Sequence, residues 1–206
     1  MTLKFASLCS AALVAFTMGM SGSAAFATPE FSALTVDART GQILTADHED
    51  GLRHPASLTK MMTLYVLFQD LKSGKITRDT KLKVSARAAA MAPSKLHLKA
   101  GTTITVDEAI KALVTKSAND AAATIAENLG GSESAFAARM TNVAHSIGMS
   151  RSTFYNASGL PNPAQYTTAR DMATLGLRLM HDFPQYYPYF RVTSRISHSN
   201  PGGEPV

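Results

Sequence analysis

The chain has 206 residues, of which 45% are hydrophobic and 17% are charged, and its formal net charge is +5 at pH 7. This length suffices for one domain with its own core and is short for two. Bases and acids are interspersed, without an arginine-rich helix or an aromatic-basic stripe, so we expect a solvated basic surface and no nucleic-acid partner.

The first 27 residues are typical of a secretory signal peptide. Lys4 supplies a positive start, residues 5–20 are mostly apolar, and Ala25-Phe26-Ala27 fits the small-x-small cleavage rule. We expect cleavage after Ala27 and a secreted or periplasmic product. A membrane anchor is the alternative, but polar residues interrupt an apolar run that is shorter than the roughly 20 residues a bilayer requires. The sole cysteine, Cys9, lies in this segment, so the exported chain would form no disulfide.

The segment 31–46 predicts a β-hairpin. Leu34 and Val36 alternate with a polar residue, turn-type residues follow at 37–41, and Ile43 resumes the apolar pattern. A two-stranded hairpin is marginal by itself, so we expect the next helix to cover it and further strands to come from sequence outside this chain.

A helix is predicted from about Ser57 to about residue 74, after a polar loop at 47–56. The run 61–68 is apolar nearly all round, which indicates a buried helix. Ser57 and Lys60 are three residues apart and share one helical face. A serine hydroxyl needs a base to become a nucleophile, and a lysine serves as one when burial lowers its pKa. Alternatively, Ser57 caps the helix and Lys60 reaches solvent.

The middle of the chain predicts several short helices. A short helix is predicted at 86–91, and the alternation at 96–99 suggests a short extended piece. Thr105 and Glu108 form a capping box that starts a helix running towards residue 115. The next helix is predicted at 121–129.

The triplet Ser117-Ala118-Asn119 falls in the break between those two helices. Polar residues at such a break are usually caps. The functional alternative is that Ser117 relays a proton near a leaving group, while Asn119 binds a substrate amide or holds Lys60. Ser-x-x-Lys, a Ser-x-Asn type motif and Lys-Thr-Gly together mark penicillin-binding proteins and class A β-lactamases. The first two motifs are present, and Lys-Thr-Gly does not occur in the 206 residues.

The last third of the chain predicts an amphipathic helix at 132–147, a loop at 156–167 and a helix capped by Thr168. Residues 194–206 have no apolar period and predict an irregular tail. The expected organisation is a signal peptide at 1–27, a partial catalytic domain at 28–193 and this tail.

From about residue 31 to about residue 190 the sequence resembles the serine-type D-alanyl-D-alanine carboxypeptidases, the low-molecular-mass penicillin-binding proteins of peptidase family S11. The motifs that carry the resemblance lie at 36–41, 54–63, 93–96, 116–122, 156–161 and 167–173. The resemblance implies an α+β fold of the β-lactamase/DD-peptidase type, in which a helical domain packs against an antiparallel sheet that is incomplete in this chain. It also implies Ser57 as the acyl-enzyme nucleophile, Lys60 as its base, and Ser117 and Asn119 as the second catalytic element.

The same resemblance implies the partners of the site. These are peptidoglycan stem peptides ending in D-Ala-D-Ala as substrates and β-lactam antibiotics as covalent inhibitors, with no metal and no cofactor. The missing Lys-Thr-Gly predicts a C-terminally truncated, impaired carboxypeptidase, or a remnant that does not turn over. A serine β-lactamase is a weaker alternative, because its rapid deacylation uses a glutamate-activated water in class A, and the loop at 156–167 contains no Glu or Asp.

Overall fold

The structure is a computed structural model that describes residues 31–193. The predicted signal peptide and the predicted tail at 194–206 lie outside the described residues. The elements in chain order are β1 (Ala33–Val36), β2 (Ile43–Asp47), α1 (Thr59–Lys72), β3 (Lys81–Lys83), α2 (Ala86–Ala89), β4 (Thr103–Thr105), α3 (Val106–Lys116), α4 (Asn119–Gly130), α5 (Glu133–Ser146) and α6 (Ala169–Asp182). Two 3-10 turns, Ala56–Leu58 and Tyr187–Arg191, complete them.

Helix α1 lies at the centre of the helical layer, as its apolar sequence predicts. It packs against α4, α5 and α6, and the side chains of Met62, Val66, Leu67 and Phe68 have no exposed surface. Burying one such side chain contributes roughly 1.5–3 kcal/mol relative to exposure. A helix that is apolar on every side is stable only when it is surrounded, so α1 organises the other helices around itself.

The predicted hairpin is confirmed, with β1 and β2 paired antiparallel. The Asp37 carboxylate closes the turn by accepting the backbone N–H groups of Arg39 and Thr40. The prediction that α1 packs on the hairpin is wrong. Strand β1 packs mainly against α6, while Met61 of α1 lines a cavity beside the hairpin. The hairpin and the helical layer together confirm the predicted α+β class with a small antiparallel sheet.

A second two-stranded sheet, β3 paired with β4, was not predicted. Each strand places one fully buried residue in the core, Leu82 and Ile104. A three-residue strand with one apolar position is too short to show an alternating pattern. The extended piece predicted at 96–99 is wrong, because the N–H groups of Leu96 and Leu98 donate to the Asp120 carboxylate and to no strand.

The predicted caps are confirmed at two helices, where Thr105 and Glu108 form the capping box of α3 and Thr168 caps α6. Ser132 caps α5, at the start of the amphipathic helix predicted there. Helix α4 differs from the prediction, because it begins at Asn119 and its N-cap is Ala118, which offers no side-chain acceptor. The Asn119 side chain is therefore available for another contact.

The last described elements pack on α1 through aromatic rings. Phe68 contacts Phe183 edge to face and stacks with Tyr186 and Tyr189. The hydroxyl of Tyr189 donates to the Asp107 carboxylate, which joins the final 3-10 turn to α3. Between residues 31 and 193, no helix has both the length and the apolar character needed to cross a membrane.

Candidate active site

Ser57 lies in the 3-10 turn Ala56–Leu58, immediately before α1, and is exposed. The predicted helix therefore starts two residues later than Ser57, at Thr59. The preceding residue, Ala56, has φ 46°, in the left-handed region that non-glycine residues rarely adopt. This sharp entry leaves the serine at the mouth of α1, one turn before Lys60.

Lys60 is the cation that the fold buries at this mouth, with only 4% of its surface exposed. Its Nζ donates to Asn119 Oδ1 at 2.8 Å and to the Ser158 carbonyl oxygen at 2.5 Å. Burial disfavours the charged form and lowers the pKa of Lys60 to about 8. The predicted alternative of a lysine that reaches solvent is wrong for this fold.

Asn119 is held so that its oxygen faces Lys60. Its Nδ2 donates to the carbonyls of Ala92 and Pro93, and its own backbone N–H donates to the Ser94 carbonyl. These contacts leave Oδ1 as the acceptor for the lysine. The structure shows Asn119 hydrogen bonded to Lys60, which is one of the two predicted roles, and binding of a substrate amide stays a prediction.

Ser117 closes α3 in the left-handed conformation, with φ 54°. Its Oγ is buried and has no hydrogen-bond partner among the described residues 31–193. A buried hydroxyl without a partner is uncommon, and at a functional site it indicates a group reserved for a ligand or water.

The loop 156–160 contributes a contact that the sequence did not reveal. Asn156 Oδ1 accepts the N–H groups of Ser158 and Gly159, which folds the loop into an Asx turn. The turn directs the Ser158 carbonyl at Lys60. Turn-type residues predicted a loop here, but a main-chain acceptor has no side-chain signature in a sequence.

Gly159 lies directly against the turn that carries the nucleophile candidate. A Cβ at this position would stand 1.8 Å from the Ala56 carbonyl oxygen and 3.1 Å from the Ser57 nitrogen. Its φ of 86° also favours glycine. The absent side chain is what allows the loop to close over α1.

Replacing Gly159 with alanine is expected to lower the free energy of unfolding by about 3 kcal/mol or more, since the left-handed backbone and the clash add together. Gly101→Ala is the matched control, because Gly101 has φ 83° and a Cβ added there would meet no atom within 4 Å. Urea unfolding measures both variants. If both variants lose the same free energy of unfolding, the close approach of Gly159 to the Ser57 turn contributes nothing to stability.

A cavity of about 310 Å³ lies beside Ala56, the residue that precedes the nucleophile candidate. His54, Ala56 and the loop from Gly159 to Gln165 line it, and most of its lining is apolar. The Nδ1 of His54 is hydrogen bonded to the Gln165 carbonyl oxygen at 2.7 Å, which joins the two walls. Its lining includes Ala56 and not Ser57, so the cavity adjoins the turn that carries the nucleophile candidate.

Known proteins are similar to this chain in sequence and in fold. The sequence profile of the D-alanyl-D-alanine carboxypeptidases, peptidase family S11, matches residues 22–199. The carboxypeptidase DacC of Escherichia coli is 36% identical over 160 residues, which cover 75% of this chain and 40% of DacC. The crystal structure of DacD from Francisella tularensis has a TM-score of 0.76 and 39% identity, and the match covers 77% of this chain and 38% of that one.

A more distant neighbour was solved with a β-lactam. Penicillin-binding protein D2 of Listeria monocytogenes, in its ampicillin-bound form, has a TM-score of 0.65 and 27% identity over 84% of this chain and 69% of that one. The chain spans about 40% of the length of curated relatives such as DacC. The profile match nevertheless covers most of the chain. The chain therefore belongs to the D-alanyl-D-alanine carboxypeptidase family, peptidase family S11.

Proposed function

We propose that this chain carries the acylation half of a serine-type D-alanyl-D-alanine carboxypeptidase site. The observation that carries the proposal is the buried Lys60 amine, held by Asn119 and the Ser158 carbonyl one turn behind an exposed Ser57. The substrate class is the peptidoglycan stem peptide that ends in D-Ala-D-Ala. This matches the activity named for DacC, the relative in Escherichia coli.

In the first step, the neutral Lys60 amine accepts the proton of the Ser57 hydroxyl. The Ser57 oxygen attacks the carbonyl carbon between the two D-alanines, and the carbonyl oxygen becomes an oxyanion. The Ser57 N–H supports that oxyanion, and each such donor is worth on the order of 2.7–4 kcal/mol in the transition state. Holding the amine by two acceptors orients its lone pair before the substrate arrives.

In the second step, the C–N bond breaks and the leaving D-alanine takes up a proton. The Ser117 hydroxyl, which has no hydrogen-bond partner among residues 31–193, is proposed to pass that proton from the Lys60 ammonium to the amine. The product is an ester between Ser57 and the shortened peptide. Water then hydrolyses this ester and restores the serine hydroxyl.

The residues named so far do not account for how the terminal carboxylate of the substrate is bound. The family's Lys-Thr-Gly segment binds the terminal carboxylate and supplies the second oxyanion donor, and the 206 residues contain no Lys-Thr-Gly. A polypeptide limited to residues 28–206 is therefore proposed to be impaired in turnover. This observation also favours a second candidate, a penicillin-binding remnant that contacts peptidoglycan without hydrolysing it.

We further propose that residues 28–193 are the partial catalytic domain, followed by the tail at 194–206. Export after removal of residues 1–27 would place this domain in the periplasm or outside the cell, where peptidoglycan lies. β-Lactams are proposed to acylate Ser57, in line with the ampicillin-bound form of the Listeria monocytogenes relative. Neither a metal nor a cofactor is needed for this chemistry.

The release of free D-alanine from a D-alanyl-D-alanine peptide tests the function. We expect little or no release by residues 28–206 alone, and release when a family-type Lys-Thr-Gly segment is appended. Mass spectrometry after benzylpenicillin treatment should locate the adduct on the peptide that contains Ser57. Robust turnover by the purified, monomeric 28–206 polypeptide would show that the third motif is dispensable, and an extended chain that forms no adduct would support the non-catalytic remnant.

The acylation rate is expected to rise with pH and to reach half its maximum near the pKa of Lys60, about 8. Only the neutral amine accepts a proton, and at pH 7 roughly a tenth of it is neutral, so alkaline conditions favour the reaction. Stopped-flow or fluorescent penicillin labelling of the extended chain between about pH 6 and pH 9.5 measures this profile, within the range where circular dichroism shows it folded. A rate that is independent of pH would exclude Lys60 as the base.

A further inference from the structure

Glu133 joins the loop at the active site to a charged cluster on the surface. In the first turn of α5, one of its carboxylate oxygens accepts the Ala157 N–H at 3.0 Å, and the other accepts Arg87 Nη1 at 2.6 Å. Only 13% of its side chain is exposed. With both oxygens engaged, the carboxylate has a single position between the loop and the arginine.

Ala157 is held at both of its backbone groups. Its N–H donates to Glu133, and its carbonyl accepts the Thr63 hydroxyl at 2.7 Å. Thr63 lies three residues beyond Lys60 on α1, so it faces the same side of that helix. The next carbonyl in the loop, that of Ser158, is the acceptor for the Lys60 amine.

We propose that Glu133 is a positioning residue for the acylation step, and that it acts by the reach of its carboxylate to the Ala157 N–H. This contact fixes the Ser158 carbonyl against Lys60 and keeps the loop closed over the amine. Ala157 has no exposed surface, so without its acceptor the buried N–H must find water, and the loop moves to let water in. The proposal rests on the proposed role of Lys60 as the base.

The surroundings of Lys60 show what such a movement would change. Lys60 is held by an amide oxygen and a main-chain carbonyl, none of the ion pairs described between residues 31 and 193 involves it, and burial is the cause of its lowered pKa. Asp120, next to Asn119 on α4, is engaged with the N–H groups of Leu96 and Leu98, and Glu133 faces the loop from α5. Water that enters beside the amine favours its charged form, so an opened loop raises the pKa of Lys60.

Two substitutions distinguish the length of the Glu133 side chain from its charge. Glu133→Gln keeps an oxygen at full length for the Ala157 N–H and removes the charge, whereas Glu133→Asp keeps the charge and withdraws the carboxylate by one methylene. Glu127→Asp is the matched control, because Glu127 accepts Arg87 Nε at 2.7 Å and is shortened in the same way. None of the contacts described for Glu127 involves the loop.

The measurement is the titration of Lys60 in the full chain labelled with ¹³C-lysine, followed by NMR and assigned by the signal lost in Lys60→Arg. We expect the pKa of Lys60 to rise by roughly 0.5 or more in Glu133→Asp and to stay unchanged in Glu133→Gln and Glu127→Asp. We expect the same rise in the pKa of Lys60 for Glu133→Ala, which is used in place of Glu133→Asp if Glu133→Asp does not fold.

Three results overturn the proposal: a pKa that is unchanged or lowered in Glu133→Asp, an equal rise in Glu133→Gln, or an equal rise in Glu127→Asp. Penicillin acylation of the chain extended by a Lys-Thr-Gly segment gives the second readout, with a loss of about tenfold or more expected for Glu133→Asp only. The NMR titration requires no acylation. If the proposed function is wrong, the acylation measurement is lost. The NMR titration still tests whether Glu133 positions the loop at Lys60.

Discussion

Replacing Ser57 with alanine is expected to abolish labelling by fluorescent penicillin, a loss of about 10³-fold or more in acylation rate. Ser57 is the exposed serine one turn before the buried Lys60, and the acyl group has no other acceptor of this kind among residues 31–193. The protein for this measurement is the 28–206 chain with a family-type Lys-Thr-Gly segment appended. Gel fluorescence and intact mass after penicillin treatment report the covalent adduct.

Ser73→Ala is the matched control for this variant. Ser73 follows the other end of α1, where its hydroxyl donates to the Asp70 carbonyl oxygen. We expect wild-type labelling in the control and an unchanged melting temperature in Ser57→Ala, since Ser57 lies at the surface. Labelling that survives the Ser57→Ala change would assign the nucleophile to another residue.

Lys60→Arg is expected to reduce acylation by about 10³-fold or more, although the positive charge is kept. A guanidinium stays protonated at any pH at which the protein is folded, so it cannot take the proton of Ser57. It keeps N–H donors for the two acceptors of the lysine, Asn119 and the Ser158 carbonyl. The acylation rate, measured at several pH values, should lose its rise around pH 8 as well as its magnitude.

The control for this substitution is Lys72→Arg, on the exposed last turn of the same helix. Lys72 donates to the Asp182 carbonyl at 3.1 Å, a contact that arginine also makes. We expect no change in acylation there, and circular dichroism should show that both variants fold. Acylation at the wild-type rate by Lys60→Arg would exclude a proton-accepting role for Lys60.

The buried helix and the candidate pair Ser57 and Lys60 were predictable from the sequence because their signals are local, whereas the fold was predicted from the resemblance to the family. A serine and a lysine three residues apart, followed by a run that is apolar all round, specify a buried helix with its reactive groups at one end. The capping box at Thr105 and the cap at Thr168 are likewise local hydrogen bonds between neighbours in the chain, and both are present.

The contacts that turn Lys60 into a candidate base were decided by the tertiary structure alone. Its acceptors lie 59 and 98 residues away in the chain, and one of them is a main-chain carbonyl that any residue type possesses. The packing of β1 on α6 and the pairing of β3 with β4 also join distant segments, and their short strands carry little pattern.

By itself, the sequence determined which residues are the candidates for the chemistry, because side-chain type and local spacing are written in it. The three-dimensional structure decided how far Lys60 is shielded from solvent and which groups accept its hydrogen bonds. It also decided that position 159 requires a glycine. Those properties depend on which surfaces meet when α1, α4 and the loop 156–160 pack together. Burial and close approach are properties of that packing, and no single segment of the chain contains them.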